Sequence, residues 1–245
     1  MNGASRRGGE GGVAGKDGYA VAAWLFVCAA LTFAMVVVGG ITRLTESGLS
    51  IVEWQPLTGA LPPLSQADWE ALFAKYRATP QFDKVFPDMT VDGFKSIFWW
   101  EYAHRLLGRV IGLVFLLPYL FFLIKGKLTK PLAWKLAGLF VLGGLQGAMG
   151  WYMVQSGLVE DPRVSHFRLT AHLGLALIIF SCEFWIALDL LKPDSNSCRK
   201  LPLLVLGLVL LMALSGGLVA GLRAGHAYNT FPLMNEHVVP PEILM

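Results

Sequence analysis

Two stretches of this chain put ionisable groups at the mouths of long apolar runs. Trp99-Trp100-Glu101-Tyr102-Ala103-His104-Arg105-Leu106-Leu107-Gly108-Arg109 opens one, and Arg163-Val164-Ser165-His166-Phe167-Arg168-Leu169-Thr170-Ala171-His172-Leu173-Gly174 opens another. At about 100° per helical residue, Glu101, His104, Gly108 and Gly112 share one stripe, and Arg105 and Arg109 share the next. His172 lies roughly one and a half turns into its run, a depth like that of His104, with Arg168 a turn above it on the same face. Charged and imidazole groups at such places are costly, and they mark functional sites by default.

Two imidazoles at matched depth on two helices can reach a haem iron from opposite faces. Arg105, Arg109 and Arg168 would meet the propionates at the wet end. A histidine pair also suits a transition metal or a proton relay. Two imidazoles without a third protein ligand are few for a closed zinc site, which favours haem. A plainer account has Glu101 pairing with Arg105 at i,i+4, His104 as polar packing, and Arg105 and Arg109 snorkelling to headgroups. Glu101 separates an enzyme from an electron carrier, because a carrier needs no carboxylate beside its ligand. His166 reads as interfacial. Glu183 lies three turns below His172 on the same face and is assigned no role; His226 and His237 have no partner legible in the sequence.

The elements that must position these groups are transmembrane. The 245 residues are 55% hydrophobic and 15% charged, with mean hydropathy +0.55, whereas soluble domains are about a quarter charged. Five apolar runs, at residues 19–41, 98–124, 132–154, 167–191 and 201–222, reach the ~20 residues needed to cross hydrocarbon. The net charge of +3 is too small to argue for nucleic acid. Arg6, Arg7 and Lys16 precede the first run; Lys125, Lys127, Lys130 and Lys135 follow the second; Lys192, Arg199 and Lys200 precede the fifth. This pattern puts the N-terminus inside, in cytoplasm or matrix, and the end of the chain outside.

Residues 1–18, Gly-rich and of mixed charge, read as a disordered cytoplasmic tail. Residues 42–97 form a long outer cap. Within it Ser65 and Asp68 predict a capping box opening a helix to about Arg77, and Thr90 predicts the start of a second short helix. Pro118 predicts a kink in the second run. Gly143, Gly144, Gly147 and Gly150 give small-residue spacing for a close helix crossing, and Gln146 among them could bond across that interface, although packing is the favoured account. Cys28, Cys182 and Cys198 show neither metal spacing nor a disulfide framework. Val38-Gly39-Gly40-Ile41-Thr42-Arg43 and Val219-Ala220-Gly221-Leu222-Arg223-Ala224 end the first and fifth runs alike. The fold class is therefore all-α integral membrane. Residues 19–191 form a four-helix transmembrane half, and residues 201–245 hold the first helix and outer segment of a second, incomplete bundle. The repeat also admits a transporter half, which would require broken helices at mid-membrane.

Five motifs in order carry a family resemblance. Gly39-Gly40-Ile41-Thr42-Arg43-Leu44-Thr45-Glu46-Ser47-Gly48-Leu49-Ser50 resembles the signature closing the first span of the haem A synthase family. Glu101 to Arg109 resembles its second-span motif. Gly150-Trp151-Tyr152-Met153-Val154-Gln155-Ser156-Gly157-Leu158, then Arg168 to Gly174, then Tyr228-Asn229-Thr230-Phe231-Pro232 continue the match. The cysteine-free outer segment resembles the proteobacterial and mitochondrial branch. The resemblance implies an eight-span protein of two four-helix halves. Such a protein oxidises a methyl group of haem O to the formyl group of haem A by successive hydroxylation, for cytochrome oxidase biogenesis. It further implies that His104 and His172 hold the substrate haem, that Glu101 stands beside the reacting methyl, and that a haem b cofactor is held in a rear half beyond Met245. The chain is thus expected to be an incomplete copy, and a non-enzymatic membrane haem binder, whether assembly factor or electron carrier, is the alternative. Expected partners are haem O, the enzyme that makes it, membrane lipid and a second copy of the chain. The expected location is the bacterial inner membrane or, alternatively, the mitochondrial one.

Overall fold

A computed structural model describes residues 15–55, 58–159, 162, 164–191, 200–230 and 232–239. Expectations that fall on residues 1–14, Arg163, Lys192, Cys198, Arg199 and Phe231 lie outside them. Long apolar runs fold as helices in lipid because a helix meets all its backbone hydrogen bonds internally. Among the described residues there are five such helices: α1 (Lys16–Leu44), α4 (Val91–Ile124), α5 (Lys130–Gly157), α6 (His166–Leu191) and α7 (Lys200–Leu222). The shortest apolar span, Leu201–Leu222, has 22 residues and reaches about 33 Å. Large apolar side chains such as Leu113, Leu117 and Phe121 of α4 and Leu204, Leu208 and Leu211 of α7 point outward, as a lipid solvent allows. The chain is an all-α integral membrane protein.

α1 packs on α4 and α6, and α5 closes against the same two helices, so α4 and α6 stand across a diagonal of a four-helix square. α7 lies outside the square against α6. At one end of the bundle, Lys127 Nζ of the α4–α5 link pairs with Asp17 of α1 at 2.7 Å. At the other, Arg223 pairs with Glu46 at 2.5 Å, and Arg43 donates to the Ala220 carbonyl. The positively charged start of α1 and the lysine-rich link therefore share one end.

The half of the square nearer that end is filled by Leu25, Cys28, Trp24, Phe115, Leu136 and Ala187. Here one contact solves a backbone problem. Pro118 sits inside α4 and has no N–H to give the carbonyl four residues earlier, that of Val114. Trp24 Nε1 donates to that carbonyl at 2.8 Å, and α4 continues through the proline instead of breaking. α4 ends where Gly126 takes a left-handed φ of 64°. The Lys127 and Gly126 amides then turn back onto the Phe122 and Leu123 carbonyls, satisfying helix-end acceptors.

The cap segment is a packed unit. α2 (Gln66–Arg77) opens with the expected capping box, Ser65 accepting from the Asp68 amide and Asp68 from the Ser65 amide. α3 (Pro80–Val85) follows, capped by Thr79 with proline at its start, and was not expected. Thr90 does cap a helix, but that helix is α4 itself, so no separate second cap helix exists there. The first two turns of α4 project beyond the apolar run, and Phe94, Ile97, Phe98 and Tyr102 form a small aromatic core with Tyr76. α1 likewise begins at Lys16, three residues before its apolar run.

Candidate functional site

His104 and His172 come from the two diagonal helices, both half-buried and near enough to interact electrostatically. Each ring is bedded against a glycine of a neighbouring helix. A Cβ on Gly39 of α1 would stand 3.3 Å from His104 Nε2, and one on Gly150 of α5 would stand 3.2 Å from His172 Cε1. A methyl group at either place would be a tight contact, asking the imidazole to give by a few tenths of an ångström. The two glycines thus make room for the rings in the half of the bundle nearer the cap segment, above its apolar floor.

Glu101 is almost wholly enclosed, 2% exposed. Its Oε1 accepts from Arg105 Nε at 2.9 Å and Nη2 at 2.5 Å; its Oε2 accepts from Ser50 Oγ at 2.7 Å and the Ile51 amide at 2.8 Å. The i,i+4 pair expected from spacing is present, with four donors on one carboxylate. Arg105 also donates to the Ile51 and Glu53 carbonyls and lies over the Trp54 ring. Arg109 donates to the Gln55 carbonyl at 2.8 Å, and Tyr102 OH to that of Ala60 at 2.7 Å. An irregular segment must meet its backbone hydrogen bonds somewhere, and here one polar stripe of α4 meets them. Arg105 and Arg109 therefore face the cap segment, while Arg168 stacks 4.4 Å from the Tyr152 ring centroid.

Two participants were not assigned from the sequence. Ser50 reaches Glu101 from the far end of the first motif, a partnership that its place in the motif hinted at. Gln146, read there chiefly as packing, has its Nε2 3.4 Å from His172 Nε2 and donates to the His172 carbonyl at 3.1 Å. The remaining candidates sit elsewhere. His166 packs on Phe167 and under Gly221 at the α6–α7 crossing; His226 and His237 are exposed. Glu183, 2% exposed, lies in the floor and accepts from Thr32 Oγ1 at 3.0 Å.

A flat iron-bearing macrocycle suits this donor set. Two imidazoles on non-adjacent helices can approach one iron from opposite sides, as bis-imidazole haem requires. Among the described residues no three His, Cys, Asp or Glu side chains group as a closed metal site would. His172 Nδ1 is buried without a partner, so that nitrogen is tied into no hydrogen bond. A cavity of about 280 Å³, lined by Ala171, Gly174, Leu175, Ile178, Leu210 and Leu214, lies between α6 and α7. Its apolar walls offer no ligand, and the histidines remain the better marker of chemistry.

A family model described as cytochrome oxidase assembly protein matches residues 22–245. A protein named heme A synthase from Nitrosospira multiformis is 61% identical over 233 residues, covering 92% of this chain and 65% of that relative. Proteins of the same name from Nitrosomonas eutropha and Paramagnetospirillum magneticum are 53% and 49% identical, each with 66% of its length covered. The chain thus spans a little under two thirds of the curated relatives it matches. No solved structure matches it.

Proposed function

This chain belongs to the cytochrome oxidase assembly protein family, and from that premise we propose that it is the haem-binding front portion of a haem A synthase. The observation that carries the proposal is the placement of His104 and His172 on diagonal helices, each ring seated on a glycine. In this reading both imidazoles ligate the iron of haem O, and the macrocycle lies in the outer half of the square. With water as the oxygen source, each of two successive hydroxylations would replace a C–H bond of one ring methyl by a C–O bond and release two electrons and two protons. The electrons would pass to an acceptor outside this chain; the doubly hydroxylated carbon then loses one water to give the formyl group. Glu101, one turn from His104, stands beside that methyl with its charge compensated by Arg105. It stabilises positive charge on the carbon being oxidised and accepts a proton from it. Arg168, at the mouth of α6, is the guanidinium that meets a propionate. Arg105 and Arg109, turned to the cap segment, act on orientation by holding that segment over the site.

The same reading places the N-terminus on the cytoplasmic side of a bacterial inner membrane and the cap outside. It assigns residues 19–191 to one four-helix half and residues 201–245 to the opening of another. It leaves a haem b cofactor to a second histidine pair outside this chain's residues, with the haem O-producing enzyme and a second copy as partners. The full engagement of Glu101 by four donors favours one competing reading, a non-enzymatic haem binder in which the carboxylate is only a strut. The two separate in the full-length gene product. Glu101→Gln should leave bound haem in place and stop haem A formation, measured by extracting the haem and resolving O from A. Unaltered haem A yield removes Glu101 from the chemistry; loss of haem together with activity makes it a strut.

A further inference from the structure

Among the described residues two buried side-chain atoms have no hydrogen-bond partner, and they belong to one contact: Gln146 Oε1 and His172 Nδ1. Buried polar groups nearly always have partners, so an orphaned pair on touching residues calls for a reason. The amide end of Gln146 is already oriented. Its Nε2 donates to the His172 carbonyl at 3.1 Å and lies 3.4 Å from His172 Nε2. An amide NH₂ can only donate, so the imidazole nitrogen facing it must be the unprotonated one. The proton is then on Nδ1, the orphaned atom. A histidine that binds iron through Nε2 needs this tautomer, with the Nε2 lone pair free and the Nδ1 proton held by a neighbour. The Nε2 contact is long and weak, and therefore easily given up to a metal. Among the described residues, the other buried side-chain atom without a partner is Gln146 Oε1, an acceptor on the residue already in contact with His172.

We propose that Gln146 is the positioning residue for His172: its side-chain amide selects the imidazole tautomer that offers Nε2 to a haem iron, and its idle Oε1 takes the Nδ1 proton when the ring turns to that iron. The proposal rests on the reading of His172 as a haem ligand. It gives α5 a part in the site and explains why Gln146 and Gly150, one turn apart, both face His172. The competing account makes Gln146 only a strut tying α5 to α6 through the His172 carbonyl.

The test titrates the purified full chain in detergent with ferric haem B and records affinity, optical spectrum and midpoint potential. Gln146→Leu should weaken haem binding about 10–100-fold and add a high-spin component. Gln146→Glu, nearly isosteric and still an acceptor for the Nδ1 proton, should keep tight low-spin binding but lower the midpoint potential, because a stronger acceptor makes the imidazole a better donor to ferric iron. The Glu variant also serves if the Leu variant does not fold. Unchanged affinity and spectrum in Gln146→Leu, or an unchanged potential in Gln146→Glu, overturns the proposal, even if thermal stability falls. His172→Ala is the arm that separates the two failures. If it binds haem B as the parent does, the ligand assignment fails; if it loses the low-spin spectrum while both Gln146 variants match the parent, only the role of Gln146 fails.

Discussion

Arg105 holds Glu101 through two nitrogens of its guanidinium, at 2.9 and 2.5 Å, one turn along the same helix, and fixes the backbone of the cap segment with the same group. This pair is buried, with its side chains 13% and 3% exposed, so its partners are not interchangeable with water. A lysine could not reproduce the fork. Arg105→Leu leaves a buried carboxylate without compensation and should destabilise the protein by about 3–5 kcal/mol. Thermal unfolding in detergent, followed by tryptophan fluorescence, measures it. Arg105→Lys should fall between that variant and the parent.

Trp24 and Pro118 are coupled through one carbonyl. Trp24→Phe keeps the ring but removes the donor to Val114 O, and should cost about 1–3 kcal/mol. Pro118→Ala restores a helical N–H to that carbonyl, so Trp24→Phe should cost measurably less in that background. A double-mutant cycle on unfolding free energy detects the coupling; strict additivity would dissolve it.

The floor of the bundle has its own polar contact. Thr32→Val removes the hydroxyl that donates to the Glu183 carboxyl and should destabilise by about 1–3 kcal/mol. Glu183→Gln keeps the acceptor oxygen and should be milder than Glu183→Leu. Ranking the three by Tm tests the contact, and Glu183→Leu matching the parent would show that the carboxyl contributes nothing there.

In the cap, the hydrogen bonds from Ser65 and the Ser65 and Leu64 amides hold the Asp68 carboxyl below its ordinary value of 3.8. A depressed acid contributes stability above its unfolded value and loses it as pH falls through the folded one. Protection of α2 amides from hydrogen exchange should therefore weaken only below the usual carboxylate range. Ser65→Ala should move that loss to higher pH.

The spans were legible because hydrocarbon thickness sets a minimum run length that soluble helices rarely meet without charge. Ser65 with Asp68, and Glu101 with Arg105, were legible because both partners lie within one helical turn. α4 begins at Val91, ahead of the apolar run from residue 98, for a local reason. Asp92, Gly93 and Lys95 make residues 91–97 look unlike the apolar run, yet no proline or stop signal separates them from it, and aromatic packing on Tyr76 carries the helix outward. The short helix α3 did have a signal, Thr79 before Pro80. Ser50 with Glu101, Gln146 with His172, and Trp24 with Val114 could not be read off spacing. Their partners lie on other elements, 26 to 90 residues away, and only the packing of α1 on α4, of α5 on α6 and of the cap segment on α4 brings such groups together.

The central claim is that His104 and His172 ligate one haem iron between them, and the optical spectrum of the purified chain loaded with ferric haem B tests it most directly. The account predicts a six-coordinate, low-spin bis-imidazole spectrum that His104→Ala and His172→Ala each convert to high-spin. A parent chain that takes up no haem, or single variants whose spectra stay low-spin, would contradict it.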